Sequence, residues 1–214
     1  MRNRAPLYFL GFYSVLFGLL AFFIVISTVY AQEEMEHEQH EHHVAASATH
    51  DYRRSDASYV IPDVRIVDES GRAANLSSVL EGNAPILLNF IFTTCTAVCP
   101  ILTATFSQVQ EGLGSERNSV RMISLSIDPE QDTPEVLRSY AKKHHAGPQW
   151  HFFTGTLADM ISIEKSFDIY RGNKMNHEPV SFMRVGADSK WMRIDGFASA
   201  DDLVREFRQL AKLH

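Results

Sequence analysis

Residues 85–92, PILLNFIF, restrict the fold more tightly than any other stretch of the chain. A strand with one wet face alternates apolar and polar residues, whereas a strand covered on both faces reads as a nearly unbroken apolar run. This run is of the second kind, so it belongs inside a sheet with helices packed on either side. The residues after it agree. Val98, Ile101, Leu102, Phe106, Val109 and Leu113 recur at close to helical spacing, which predicts a helix over 99–113. Pro100 fits its first turn, where a missing N–H costs nothing.

The remaining segments extend the same alternation. Residues 59–67, YVIPDVRIV, read as a short strand pair or an extended entry, DESGR as a turn, and 75–80 as a short helix capped near Asn75. A strand is expected over 119–127, SVRMISLSI, followed by a helix in DPEQDTPEVLRSYAKKH with Thr133 or Asp132 as cap and Pro134 at its first position. HFFTG is a further strand and TLADMISIEKSFDIY a third helix. Residues 179–185 and 190–195 form a hairpin around GADS, and 199–212 a terminal helix with Leu203, Phe207 and Leu210 on one face. The class is therefore α/β, a mixed central sheet with helices on both sides. Residues 57–214 have the size of one domain with a real core. The sequence has no internal repeat, P-loop or GxGxxG motif.

The N-terminal part has a different character. Residues 1–6 are short and basic, and 7–31 carry no charge. Twenty-five such residues suffice for a transmembrane helix, whose core needs about twenty. The flanking charges place the N-terminus inside and the domain outside, giving a single-pass protein of a bacterial inner membrane facing the periplasm. A cleaved secretory signal is the rival reading, although the run exceeds an ordinary signal core of roughly 7–15 residues. Either route exports the domain to an oxidising compartment, where a disulfide can form. Residues 32–56 read as a polar, histidine-rich linker. Its His37, His40, His42 and His43, with His50 nearby, can collect Cu(II), Ni(II) or Zn(II) loosely, or serve as a solvated spacer. A net charge of −6 with no basic, aromatic-interleaved patch argues against nucleic acid as a partner.

The chain has two cysteines, Cys95 and Cys99, in FTTCTAVCP at the expected strand-to-helix junction. Positions four apart share a helix face, so the thiols can close a disulfide or chelate one soft metal ion. The second thiol lies near the helix start, where the dipole and free N–H groups favour a thiolate. The spacing is C-x3-C, one residue longer than the usual redox C-x2-C. A structural staple is the bland alternative, but closing so short a loop removes little unfolded-state entropy. His177, in the loop KMNHEP, is a candidate third ligand, and only the fold can bring it to Cys99, 78 residues earlier. His144, His145 and His151 read as a helix end and its following turn. Asp128 ends a strand on the site side and can orient a ligand or tune the pocket, while Asp132 reads as a turn or cap residue.

The segments NFIFTTCTAVCP, SLSIDPEQDTPEVLRSYAKKH, WHFFTG and NKMNHEP together resemble the SCO/SenC family over about residues 59–212. That family comprises thioredoxin-like, copper-binding assembly factors of cytochrome c oxidase. The resemblance implies a thioredoxin-like fold and copper, Cu(I) or Cu(II), held by Cys95, Cys99 and His177. It places Asp128 beside the ligands or facing a partner. The implied function is a membrane-anchored copper chaperone, and the implied partner is the copper-receiving oxidase subunit. Other periplasmic copper chaperones or thiol reductases are further expected contacts. The alternative is a thiol–disulfide oxidoreductase, with Cys95 and Cys99 as its redox pair, that keeps oxidase cysteines reduced. The family's histidine often follows aspartate; here it follows Met175 and Asn176.

Overall fold

The computed structural model describes residues 52–187 and 189–212. Eight strands make one sheet: β1 (Arg53–Ala57), β2 (Arg65–Asp68), β3 (Ala73–Asn75), β4 (Ile86–Ile91), β5 (Arg121–Ser126), β6 (Trp150–Gly155), β7 (Val180–Arg184) and β8 (Trp191–Asp195). Their order across the sheet is β1-β8-β7-β4-β5-β6-β2-β3. The helices are α1 (Leu76–Leu80), α2 (Val98–Gly112), α3 (Pro134–Lys143), α4 (Leu157–Ser166) and α5 (Ala200–Lys212).

The apolar run forms β4, and all six of its residues are buried. It pairs parallel with β5 on one edge and antiparallel with β7 on the other. A buried polar relay stitches the centre: the Trp150 indole donates to Ser124 Oγ at 2.9 Å, and Ser124 Oγ donates to Asn89 Oδ1 at 2.7 Å. Phe90, Phe167, Phe182 and Tyr59 meet edge-on or tilted, which suits the ring quadrupoles. Pro134 begins α3, and Thr133 Oγ1 accepts the Val136 N–H, a Ser/Thr-type cap as expected. Thr156 caps α4 in the same way. Leu203, Val204, Phe207 and Leu210 bury one face of α5, which packs against α2.

The entry of the domain and its membrane placement depart from the sequence expectations. Arg53–Ala57, read as the end of a linker, is an edge strand paired antiparallel with β8. Its neighbour Tyr52 donates to Glu206 at 2.7 Å and Arg54 pairs with the same carboxylate at 2.9 Å, which ties the entry of the domain to α5. The second change concerns the membrane. Among the described residues no helix is long and apolar enough to cross a membrane. The expected transmembrane helix and the single-pass inner-membrane placement that followed from it have no counterpart among the described residues, and the fold class is corrected to a mixed sheet flanked by helices. The basic tail at 1–6, the anchor at 7–31 and the linker through residue 51 lie outside the described residues.

The topology gathers the site. Because β4 and β5 are parallel, their C-terminal ends share one sheet edge; because β7 runs antiparallel to β4, its beginning lies at that same edge. The cysteine loop leaves β4, Asp128 follows β5, and His177 precedes β7. Loops beyond the carboxyl ends of parallel strands are where α/β folds build sites.

Candidate metal centre

β4 ends in a tight turn, with the Cys95 N–H donating to the Phe92 carbonyl at 3.2 Å. The chain then enters α2 at Val98, so Cys99 is its second residue and Pro100 its third. Ala97 precedes the helix and offers no side-chain cap. The sulfur of Cys95 fills that role, accepting the Cys99 N–H at 3.4 Å. Both cysteines are free thiols, Cys95 partly exposed and Cys99 buried.

This arrangement reverses the expected assignment of the thiolate. Burial pushes the Cys95 thiol up, but the N–H groups of Cys99, Ala97 and Val98 and the Cys99 thiol outweigh it and hold it below the ordinary range. Burial drives Cys99 strongly upward, and the Phe92 N–H only partly offsets this. Helix N–H groups point away from the helix, toward what precedes it, so they serve the sulfur four residues earlier and not the cysteine inside the first turn. Cys95 is therefore the more readily ionised of the two thiols, and Cys99 the one that holds its proton more firmly.

His177 is buried, and its Nε2–H donates to the Phe90 carbonyl at 3.1 Å. A carbonyl only accepts, so this contact fixes the tautomer and leaves Nδ1 with a free lone pair. Desolvation lowers the pKa of the ring and favours the neutral form, the form that binds metals. Two residues below Phe90's carbonyl, the Phe92 N–H donates to Cys99 Sγ at 3.4 Å. Backbone groups two apart on a strand face the same side. Cys99 and His177 therefore hang from one edge of the β4 end.

The loop bearing His177 is clamped. Lys174 pairs with Asp128, which is 4% exposed, and its ammonium lies 5.8 Å from the centre of the Phe92 ring. Asp128 thus acts on the His177 loop through Lys174. Asp132, expected as a cap, is fully buried and latches the cysteine loop instead. It accepts from Thr93 Oγ1 at 2.5 Å, from the Thr93 N–H at 3.2 Å and from Ser126 Oγ at 2.6 Å. Burial raises its pKa, against the pull of the Ser126 and Thr93 donors. Its cap-like sequence context, DTPE, concealed this role. His144 and His145 do sit at the end of α3, whereas His151 lies within β6 and meets Glu69 at 3.3 Å.

The structure brings Cys95 and Cys99 together and carries His177 to the same sheet end. Among the described residues, however, no three His, Cys, Asp or Glu side chains stand close enough together to hold a metal ion. The donor types themselves, two cysteine sulfurs, one of them readily ionised, and one neutral imidazole, suit a soft ion such as Cu(I), or Zn(II).

Residues 53–211 match the family model SCO1/SenC. The chain belongs to the SCO1/SenC family. A curated relative, the SCO1 protein homolog of Bacillus subtilis strain 168, is 30% identical over 166 residues, spanning 73% of this chain and 85% of the relative. The solved structure of BsSco, described as a member of the Sco family of cytochrome c oxidase assembly proteins with a disulfide switch, superposes with a TM-score of 0.62 at 27% identity. It covers 75% of this chain and 98% of BsSco. Bradyrhizobium japonicum ScoI, solved with copper bound, shares the fold at a TM-score of 0.58 and 21% identity, over 71% of this chain and 99% of that one.

Proposed function

We propose that this SCO1/SenC chain is a copper chaperone that carries the ion on Cys95, Cys99 and His177 and delivers it to the binuclear copper centre of cytochrome c oxidase. Family membership supports the reading, as do the description of BsSco as an oxidase assembly protein and the copper held by ScoI. The observation that carries it is the common anchorage of the site. The cysteine pair, with Cys95 its readier ioniser, and a neutral histidine with a free Nδ1 are fastened at one end of the sheet through Phe90 and Phe92. Copper is the cargo here. Cys95 gives up its proton more easily than Cys99 as each ligates, and His177 has none to lose at Nδ1. Few ligands on separate elements allow an acceptor to replace them one at a time.

A second reading draws on the difference between the two thiols. In thiol–disulfide exchange the partly exposed Cys95, once ionised, attacks a partner disulfide, forms a mixed disulfide and expels one partner thiolate. Cys99 then attacks the Cys95 sulfur, leaving a Cys95–Cys99 disulfide and a reduced partner dithiol.

Cu(I) titration of the fully reduced full chain against a competing chelator separates the readings. One tight equivalent, lost in Cys95→Ser/Cys99→Ser and weakened in His177→Ala, is expected of a carrier. Weak binding that none of these substitutions changes refutes it and leaves exchange as the function. Exchange activity itself should survive His177→Ala.

A further inference from the structure

A cleft of about 360 Å³ opens beside the metal centre, between α4 and the loop that leads to His177. Its apolar wall is Leu157, Ile161 and Tyr170, with Leu157 47% and Tyr170 36% exposed. Its floor includes Glu164, which is only 8% exposed. No hydrogen-bond donor or cation reaches the Glu164 carboxyl among the described residues, and burial alone perturbs it, raising its pKa to about 7. A carboxyl set this deep in the floor of a cleft with no protein partner is costly to ionise, and its ordinary remedy is a cation or donor brought to it through the cleft.

The charges around the cleft define what could fill it. Asp128, Glu130 and Glu164 line it with one lysine, Lys174, which is already engaged by Asp128, while Lys165 sits over the ring of Tyr170. The cleft is therefore acidic, with apolar sides. Tyr170 already takes a cation, Lys165, whose ammonium lies 5.1 Å from the ring centre. A planar guanidinium on an apolar stem matches all of these walls: its fork fits a carboxylate, its plane stacks on an aromatic ring, and its methylenes cover leucine and isoleucine.

We propose that the cleft receives an arginine side chain of a partner protein that docks over the metal centre. Lys174 joins the two places, since it lines the cleft and clamps the loop that ends in His177. An arginine held on Glu164 sets the partner beside the cysteine loop. Only the partner's role in taking or giving metal rests on the proposed function; the cleft and its ligand chemistry do not.

The test uses the reduced, metal-free full chain, so its result is independent of copper. The probe is an acetylated, amidated Leu-Arg-Leu peptide, compared with the same peptide carrying neutral citrulline. Binding is followed on the methyl signals of Leu157 and Ile161. The expected result is saturable shifts, with affinity at least about five-fold lower for the citrulline peptide and for Glu164→Gln, the loss of one charge-assisted hydrogen bond. Glu130→Gln, on the exposed rim, should weaken binding about two-fold and cannot disturb the core. Equal titration by the arginine and citrulline peptides overturns the proposal. So does unchanged affinity in Glu164→Gln, or the absence of saturation.

Discussion

Glu164→Gln should make the protein more stable at neutral and alkaline pH and leave it unchanged in acid. The carboxyl ionises near 4.5 in an unfolded chain, but burial raises it to about 7 in the fold. Below 4.5 both states hold the proton and the residue is neutral to stability. Between the two values the unfolded chain releases its proton while the folded protein keeps it, so rising pH favours unfolding. Above about 7 both states are ionised and the folded state bears the whole desolvation cost. The separation corresponds to about 3–4 kcal/mol at most, at about 1.4 kcal/mol per pH unit. The side chain is 8% exposed, but the cleft above it is open to water, which reduces the expectation to about 1–2 kcal/mol. Glutamine keeps the shape and removes the charge. Urea denaturation of wild type and Glu164→Gln across this pH range reads the effect directly. The two should coincide in acid and diverge as pH rises, the variant gaining about 1–2 kcal/mol. Parallel profiles, or a variant less stable above about 7, would refute the burial argument.

Two further outcomes follow from the cysteine loop. Alkylation with iodoacetamide should modify Cys95 well before Cys99. Its rate should rise at a pH below the ordinary thiol range, because the N–H groups at the start of α2 stabilise the Cys95 thiolate; equal labelling of both cysteines would contradict that assignment. Asp132→Ala should cost about 3–5 kcal/mol, since it strands the buried donors of Thr93 and Ser126, and chemical denaturation would show it. A loss below about 1 kcal/mol would mean that Asp132 does not latch the loop.

The buried strand, the cysteine loop and the final hairpin were legible because their signal is local. PILLNFIF needs no partner to announce burial, and the cysteine spacing needs none to announce paired thiols. What escaped depends on pairing across the chain. Arg53–Ala57, RRSDA, has no apolar alternation; it is a strand because its backbone completes β8, and edge strands exposed to water need little from their side chains. β3 has three residues, too few for a period. At the site, the choice of thiolate turned on which sulfur the helix N–H groups face, a matter of direction that spacing does not contain. Asp132 carried the pattern of a cap, and only the fold brings Thr93 to it from 39 residues away. Lys174 and Glu164 look like ordinary surface charges in the sequence; one is clamped to Asp128 and the other is buried in the floor of a cleft.

Cys99 and His177 are fastened to β4 through main-chain atoms, the N–H of residue 92 and the carbonyl of residue 90. Such fastenings are indifferent to side-chain identity. Sequence drift at 90 and 92 can alter the packing of the aromatic core while both attachments persist. Proline at 92 is the exception, because it alone lacks the amide hydrogen that Cys99 receives. The spatial order of the site can thus be inherited through the strand's path, even as the residues along it change.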